Sequence, residues 1–296
     1  MSTIRKAVIP VAGLGTRLLP ATKSQPKEML PVGRKPVVQY VVEELAHAGI
    51  KEILLITGRA KRAIEDHFDR DEDLVTRLKS GGHEHLVDSL DYEVLPVTLF
   101  YTRQHAPQGL GDALRYAQDF VGNEPFVVAL GDTIITSGQR EVVSRLIESF
   151  ERNKASAVIA VENVLPEDVF KYGIVTPSAP GDDFPIADLV EKPPMNAAPS
   201  TLAIAARYVF GPEIFAALQS TLPDRKGEVQ LVDAIKVLMA RGMSVRGLVL
   251  GQGERRYDIG NFESYFKAFI DFALADPQVG YTVRQYINHL ANGGPV

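Results

Sequence analysis

The sequence contains no cysteine among its 296 residues, which excludes a disulfide framework, thiolate catalysis, and zinc or iron–sulfur sites with cysteine ligands. It also has no excess of basic charge, because 32 Lys and Arg residues stand against 37 Asp and Glu residues, for a formal net charge of -5. Dedicated nucleic-acid-binding domains are typically basic, so we expect no nucleic-acid partner. No apolar run approaches the ~18 residues that a membrane-spanning helix needs, so we expect no membrane partner either.

The N-terminal residues also lack the pattern of a signal peptide. The residues from Met1 to Lys6 lead into a short apolar run that soon reaches a glycine-rich stretch, so we expect a cytoplasmic protein. With 45% hydrophobic and 23% charged residues, the composition is that of an ordinary globular protein. A chain of this length can bury a large core without a structural metal.

Apolar runs alternate with helical patterns along the first half of the chain. Residues 4–11 and 52–57 predict strands, and between them the helical spacing of apolar residues from Val37 to Leu45 predicts a helix. This order is that of a βαβ unit, and its nearly continuous apolar strands favour a parallel sheet that is covered on both faces. The same patterns predict strands at 97–102, 125–130 and 155–161, and helices at 111–120 and 141–153.

From 155 to 210 the chain is divided by Pro and Gly into short strands, which favours a strand-rich insertion with antiparallel members. We therefore predict an α/β fold with a mixed, mostly parallel central sheet flanked by helices, a strand-rich insertion and a helical C-terminal tail. The later elements predicted are strands at 173–175, 186–190, 202–210 and 243–251, and helices at 213–220, 229–240, 261–275 and 282–291.

A glycine-rich turn, Ala12-Gly13-Leu14-Gly15-Thr16-Arg17, follows the first strand, and Pro26-Lys27-Glu28-Met29-Leu30-Pro31 comes shortly afterwards. Small residues in such a turn let the backbone approach a polar ligand with free N–H groups facing its phosphates. The turn is neither a P-loop, because no Gly-Lys-Ser/Thr follows, nor a complete dinucleotide fingerprint, because the third glycine is missing. Solvated charges around a glycine turn are the other interpretation. Residues 1–36 carry seven cations against Glu28 alone, which indicates an anionic ligand: Arg5, Lys6, Arg17, Lys23, Lys27, Arg34 and Lys35.

Together these two motifs resemble the signature of the sugar-1-phosphate nucleotidylyltransferases, and residues 27–31 are most similar to the form found in bacterial uridylyltransferases. The resemblance runs from residue 4 to at least 276. It implies a Rossmann-like nucleotidyltransferase domain over residues 1–276, with a nucleotide half at about 1–153, a sugar-phosphate half at about 154–260, and a helical tail at 277–296. It also implies transfer of the uridylyl group of UTP to α-D-glucose 1-phosphate with Mg²⁺ as cofactor, giving UDP-glucose and pyrophosphate.

The resemblance implies roles for residues in the nucleotide half. Arg17 would neutralise the β- and γ-phosphates and the departing pyrophosphate, and Lys27 would lie near the α-phosphate. Gln104 would bond the pyrimidine edge, although Gln108 is an alternative for that role. The remaining residues implied to bind the nucleotide are Ala12, Gly13, Gly15, Glu28 and Gly109.

In the sugar-phosphate half, Glu191-Lys192-Pro193 matches the family motif in which the glutamate holds sugar hydroxyls and the lysine holds the sugar phosphate. Lys192 is therefore implied to act in catalysis as well as in binding. Gly173 matches a family glycine that lets the sugar lie against the backbone. A solvated surface ion pair is the ordinary interpretation of a lone Glu-Lys pair, and it is the order of the motifs that favours the sugar site.

Asp132 ends an apolar strand, at the edge where open α/β sheets bind ligands. A carboxylate with waters and nucleotide phosphates is an ordinary Mg²⁺ shell, and the resemblance implies that Asp132 is a metal ligand. Many relatives carry a second acidic residue where this chain has Thr133, and a loop-capping aspartate is the alternative. Asp258 matches a later motif that supplies a second carboxylate to the metal, against the alternative of a cap for the following helix.

Three other functions stay open at this point. They are a thymidylyltransferase with the same chemistry on dTTP, a non-catalytic regulatory paralogue that binds sugar nucleotides, and, more remotely, a dinucleotide-dependent oxidoreductase. The resemblance also implies a homodimer or homotetramer, with the helices after residue 261 as the expected interface.

Overall fold

The structure, a computed structural model, describes residues 4–136 and 141–293. The terminal residues of the predicted domain and tail, 1–3 and 294–296, lie outside the described residues. The strands are β1 (Lys6–Pro10), β2 (Pro31–Val32), β3 (Lys35–Pro36), β4 (Glu52–Thr57), β5 (Thr98–Arg103), β6 (Phe126–Ala129), β7 (Thr133–Thr136), β8 (Ala157–Asn163), β9 (Gly173–Pro177), β10 (Asp183–Glu191), β11 (Leu202–Phe210), β12 (Val245–Val249) and β13 (Arg255–Asp258). The helices are α1 (Val37–His47), α2 (Arg62–Phe68), α3 (Glu72–Ser80), α4 (Leu110–Arg115), α5 (Gln118–Val121), α6 (Val142–Asn153), α7 (Glu213–Ser220), α8 (Leu231–Ala240), α9 (Phe262–Ala275) and α10 (Gly280–Ala291).

Nine strands form the central sheet, in the order β5-β4-β1-β6-β11-β8-β12-β10-β9. The β5, β4, β1 and β6 strands are mutually parallel, as is the β8–β12 pair. The other neighbours pair antiparallel, which confirms the predicted mixed sheet and its antiparallel insertion. The parallel pairing is therefore concentrated in the first half of the chain.

Apolar side chains cover both faces of this sheet. On β1, Val8 belongs to a core built with α4, α7 and α8, whereas Ala7 and Ile9 belong to a second core built with α1 and α6. This alternation follows from the two-residue period of a strand. Burial on both faces explains why the parallel strands are almost uniformly apolar.

A third, smaller core lies beneath the segments that carry the sequence motifs. It joins Leu18 and Leu30 to Ile134, Ile259 and α9. Leu18 is adjacent to Arg17, and Ile259 is adjacent to Asp258, so this core holds the backbone of residues that the sequence singles out. The domain boundary predicted at residue 276 stays a prediction.

Most predicted elements are confirmed, with differences at particular places. The predicted helix at 111–120 is divided into α4 and α5, because Tyr116 and Ala117 make i→i+3 backbone bonds that tighten the chain there. The short strands β7 and β13 were not predicted, and they pair antiparallel only with each other within the described residues. No helix in the described part of the chain is both long and apolar enough to cross a membrane.

Candidate active site

The glycine-rich turn lies directly after β1, at the carboxyl edge of the parallel strands. No described residue accepts a hydrogen bond from the backbone N–H groups of residues 13–15, so these donors remain available to a ligand. Gly15 adopts φ 67°, a left-handed conformation that a side chain disfavours, and it precedes a short 3₁₀ turn at Thr16–Leu18. Arg17 in that turn is exposed, with Nη2 3.3 Å from where a Cβ on Gly260 would lie.

Lys27 and Glu28, adjacent in the motif at residues 26–31, have different partners. They lie on the 3₁₀ turn Lys27–Met29. The Lys27 ammonium donates to Asp132, and the Lys61 ammonium donates to Glu28 over 2.6 Å with both side chains almost fully buried. Burial raises the pKa of the Glu28 carboxyl, and the neighbouring Lys61 and Lys27 charges offset that effect only in part.

Asp132 follows β6 and lies beside Asp258, because the last residues of β13 pair with the first residues of β7. The Ile259 N–H donates to the Asp132 carbonyl over 2.9 Å, which ties the two segments together. Burial acts to raise the pKa of Asp132, but the Lys27 ammonium reverses that effect and holds the pKa below its usual value. Burial and the Asp132 charge raise the pKa of Asp258.

The location of Asp258 excludes the helix-capping alternative. Asn261 is the residue that caps α9, since its side chain accepts a hydrogen bond from the Ser264 N–H over 3.0 Å. Asp258 instead ends β13, three residues earlier. Its carboxyl is therefore left to face Asp132 and the cations around it.

Gln104 follows β5, and its side-chain nitrogen donates to the Gly109 carbonyl and to Asp112. A glycine is required at 109 because the backbone there has φ 95° and a Cβ would lie 2.7 Å from the Val229 carbonyl oxygen.

The predicted sugar-phosphate residues meet where β9 and β10 pair. Gly173 lies opposite Glu191 in that pair. A Cβ on Gly173 would lie 2.9 Å from the Ile204 side chain and 3.3 Å from Glu191 Oε2, so only glycine leaves this approach open. Lys192 has φ 44° and an ammonium 2.9 Å from Glu191 Oε1, and its own side chain is largely exposed. A non-glycine residue in this conformation stores backbone strain, which is common at functional sites.

These residues line two adjoining cavities. The glycine-turn cavity, of about 450 Å³, contains residues 12–17, Lys27, Glu28, Gln104 and Gly109. The Glu191 cavity, of about 820 Å³, contains Gly173, Lys192, Asp258 and Glu191. Arg17 and Asp132 line both cavities. All the predicted site residues therefore line one connected cleft, although they come from seven separate stretches of the chain.

The seven N-terminal cations do not form one cluster, which corrects the interpretation of that charge count. Of the seven, Arg17 and Lys27 line the cleft. Lys6, Arg34 and Lys35 instead pair with Glu124, Asp276 and Glu43. Counting cations that are close in sequence overestimated the positive charge at the cleft, because the strand and the loop point these side chains in different directions.

Known proteins resemble this chain in both sequence and fold. The nucleotidyl transferase family model matches residues 6–273. The chain belongs to the nucleotidyl transferase family. It is 42% identical over 291 residues to a UTP–glucose-1-phosphate uridylyltransferase of Staphylococcus epidermidis, covering 98% of this chain and 99% of that protein. It is 44% identical over 292 residues to a UTP–glucose-1-phosphate uridylyltransferase 1 of Streptococcus pyogenes serotype M1, covering 97% and 94%. A UTP-bound UGPase structure from Acinetobacter baumannii superposes with a TM-score of 0.89 at 37% identity, covering 97% of this chain and all of that one.

Two acidic residues of this nucleotidyl transferase could hold a hard cation, although they do not form a complete set of protein ligands. Among residues 4–136 and 141–293, no three His, Asp or Glu side chains are grouped to hold a metal ion. Asp132 and Asp258 nevertheless supply two neighbouring carboxylates whose mutual repulsion a cation would relieve. Mg²⁺ is commonly held by one or two carboxylates with waters and substrate phosphates, so the donor set fits that ion.

Arg256 is a residue of the cleft that the sequence analysis missed. Its guanidinium donates to Glu162 and lies 4.1 Å from the Tyr172 ring centroid, a cation–π distance. Arg256 lines the Glu191 cavity with Asp258. Arg256 and Asp258 are two residues apart, so they lie on one face of a strand. This spacing indicates a shared site only if the segment is known to be a strand, and β13 was not predicted.

A further cavity, of about 700 Å³, lies beside the turn at residues 177–184 and shares no lining residue with this cleft. Asp182 is its one charged lining residue. None of its lining residues belongs to the sequence motifs described above. The connected cleft is therefore the candidate active site of this nucleotidyl transferase.

Proposed function

We infer that the protein transfers the uridylyl group of UTP to glucose 1-phosphate, with release of pyrophosphate and formation of UDP-glucose. One observation carries this inference: two cavities with different linings meet at Arg17 and Asp132. The relatives with 42% and 44% identity carry the name of this activity. We propose that UTP occupies the glycine-turn cavity and glucose 1-phosphate the Glu191 cavity.

The two substrates are both anions, and positive charge must hold them together. Two unit charges ~4 Å apart repel by roughly 4 kcal/mol at an effective dielectric of 20. Arg17, Lys27 and Lys192 are the cations for this purpose, with Arg17 on the β- and γ-phosphates, Lys27 near the α-phosphate and Lys192 on the sugar phosphate. Burial lowers the pKa of Lys27, but Asp132 and Glu28 outweigh burial and raise it, so Lys27 stays charged.

The reaction is a displacement at the α-phosphorus of UTP. A phosphate oxygen of glucose 1-phosphate forms the new bond, and the bond from the α-phosphorus to the oxygen that bridges to the β-phosphate breaks as pyrophosphate leaves. Phosphoryl transfer requires mainly positioning and charge stabilisation. No side chain therefore has to act as a covalent nucleophile.

Glu191 and Gly173 recognise the sugar. The Glu191 carboxylate accepts hydrogen bonds from sugar hydroxyls, and the bare backbone at Gly173 lets the ring lie close. A site built to bond hydroxyls rejects analogues that lack them, because its own polar groups would be left unpaired.

Asp132 and Asp258 would hold the Mg²⁺ ion. The bound ion supplies Lewis-acid stabilisation of the phosphate oxygens. Before it binds, the Lys27 ammonium neutralises the half-buried Asp132 carboxylate, which weakens the repulsion between that acid and the nucleotide.

The direct test is pyrophosphate release across a panel of nucleotides and sugar phosphates. We expect release with UTP and glucose 1-phosphate in the presence of Mg²⁺, and weaker release with CTP, ATP or GTP. Faster turnover of dTTP than of UTP would instead identify a thymidylyltransferase. Calorimetric binding of UDP-glucose with no pyrophosphate release would identify a regulatory paralogue.

Replacing Arg17 with alanine is expected to lower turnover roughly 10² to 10³-fold, by analogy with the loss of one preorganised donor. The cause is the loss of positive charge where the departing pyrophosphate gains negative charge. Steady-state pyrophosphate release measures the effect. Lys23→Ala is a matched control, because Lys23 is an exposed cation of the same segment that does not line the cleft. Equal losses in the two variants would contradict the role of Arg17.

The homodimer or homotetramer remains a proposal. It is supported by exposed apolar residues on α9 and α10, among them Phe266, Ile270 and Tyr281. Sedimentation equilibrium measures the stoichiometry, and a monomer at micromolar concentration would contradict the proposal.

A further inference from the structure

Gln104 has a side-chain amide whose orientation is determined by two acceptors. Its nitrogen lies 2.7 Å from Asp112 Oδ2 and 3.3 Å from the Gly109 carbonyl oxygen. Gln104 and Asp112 are 7% and 8% exposed, so water competes little for these bonds. A carboxylate and a carbonyl can only accept hydrogen bonds, so the amide NH₂ group must face them.

The amide oxygen of Gln104 is therefore the atom left for a ligand. No described residue donates a hydrogen bond to that oxygen. Gln104 lines the glycine-turn cavity together with Gly109. A rotation of the amide by 180° would place its oxygen against the Asp112 carboxylate, where two acceptors repel each other.

Asp112 is itself held in place. Its Oδ1 lies 3.7 Å from Arg115 Nη1, and Arg115 Nη2 donates to the Leu218 carbonyl over 2.5 Å. These contacts anchor the carboxylate between α4 and α7. Asp112 does not line the glycine-turn cavity and is not among the residues that the sequence analysis assigns to a site.

We propose that Asp112 is a positioning residue that selects the base of the nucleotide by holding the Gln104 amide oxygen toward it. This inference rests on the proposed function only in placing the base of UTP in the glycine-turn cavity. An amide oxygen accepts from the N3–H of uracil or thymine. Cytosine carries an unprotonated N3 acceptor at the same place, so its lone pair faces the amide oxygen and the pairing is lost.

The test is the ratio of UTP to CTP affinity, measured by isothermal calorimetry with Mg²⁺ for the full chain. In Asp112→Asn the new amide can accept as well as donate, so the Gln104 amide can rotate and present its NH₂ group to the base. We expect the preference for UTP over CTP to fall about tenfold, the order of one hydrogen bond. A role in folding alone would weaken both affinities equally and leave the ratio unchanged.

A second background shows whether Asp112 acts through Gln104. In a Gln104→Met chain, the added Asp112→Asn substitution is expected to leave the ratio unchanged, because contacting residues that act as a unit are not additive. Asp119→Asn is the matched control, since it removes the same charge at an exposed position on α5. It should leave the wild-type ratio in place.

Three results would overturn the proposal: equal affinity of the wild-type protein for UTP and CTP, an unchanged ratio in Asp112→Asn, or the same change in both backgrounds. The proposed reaction fails separately. If the protein prefers UTP and Asp112→Asn lowers that preference, but no pyrophosphate is released with glucose 1-phosphate, then base selection stands and uridylyl transfer does not.

Discussion

Turnover of UTP and glucose 1-phosphate is expected to fall about 10³-fold or more in Asp132→Asn, since Lewis-acid stabilisation supplies several kcal/mol and each 1.36 kcal/mol is a factor of ten. Asparagine retains the shape of the side chain and an oxygen that the Lys27 ammonium can reach. It removes the negative charge that a divalent cation requires. Single-turnover pyrophosphate release, followed across Mg²⁺ concentrations, measures both the rate and the metal dependence.

The unfolding midpoint of the variant separates chemistry from folding, and we expect it to stay close to that of the wild-type protein. Asp182→Ala serves as the control, because Asp182 is an exposed carboxylate that lines the separate cavity beside residues 177–184. Asp258→Asn should lower activity by a smaller factor and raise the Mg²⁺ concentration required. Near-normal, Mg²⁺-dependent turnover in Asp132→Asn would refute the proposed metal site.

Glu44→Ala is expected to lower the free energy of unfolding by about 3–5 kcal/mol, the usual cost of removing one partner of a buried ion pair. Arg207 on β11 is fully buried, and its guanidinium donates to both Glu44 oxygens at 2.6–3.1 Å. It also donates to the Thr133 carbonyl over 2.9 Å, next to Asp132. Without Glu44, a positive charge would be left buried and uncompensated between α1, β7 and β11.

Urea denaturation measures this loss. Asp66→Ala is the control, because its pair with Arg62 is exposed and of the kind that contributes about 0–1 kcal/mol. If both variants lose the same stability, the buried pair is not the determinant that its geometry indicates. The double variant Glu44→Leu, Arg207→Met should recover much of the loss, because it removes both charges together.

Elements with strong apolar periodicity could be predicted from the sequence, and elements without it could not. β4 and α7 lie where they were predicted, since each has an unbroken pattern of buried residues. β13 reads Arg-Arg-Tyr-Asp and is not apolar, and it forms because β7, more than a hundred residues earlier, offers its edge. A strand whose main support is a distant partner leaves little local signal in its own residues.

Charge along the chain was a weaker guide than motif order. Seven cations near the N-terminus indicated one anionic site, but Lys6, Arg34 and Lys35 have carboxylate partners elsewhere. The motifs were more reliable because each carries its own local constraint. Gly109 and Gly173, for example, are positions where any side chain would meet backbone or a neighbouring residue.

The amino-acid sequence by itself determined the family and the residue types that the chemistry needs, because short motifs are local properties of the chain. Only the tertiary structure decided which of these residues face one another. Parallel strands end at a common edge, and the β7–β13 pair brings Asp258 beside Asp132 although the two residues are more than a hundred positions apart in the sequence. The hydrogen bonds of Asp112 to Gln104 and of Lys61 to Glu28 became visible only there, since contacts between separate segments depend on packing.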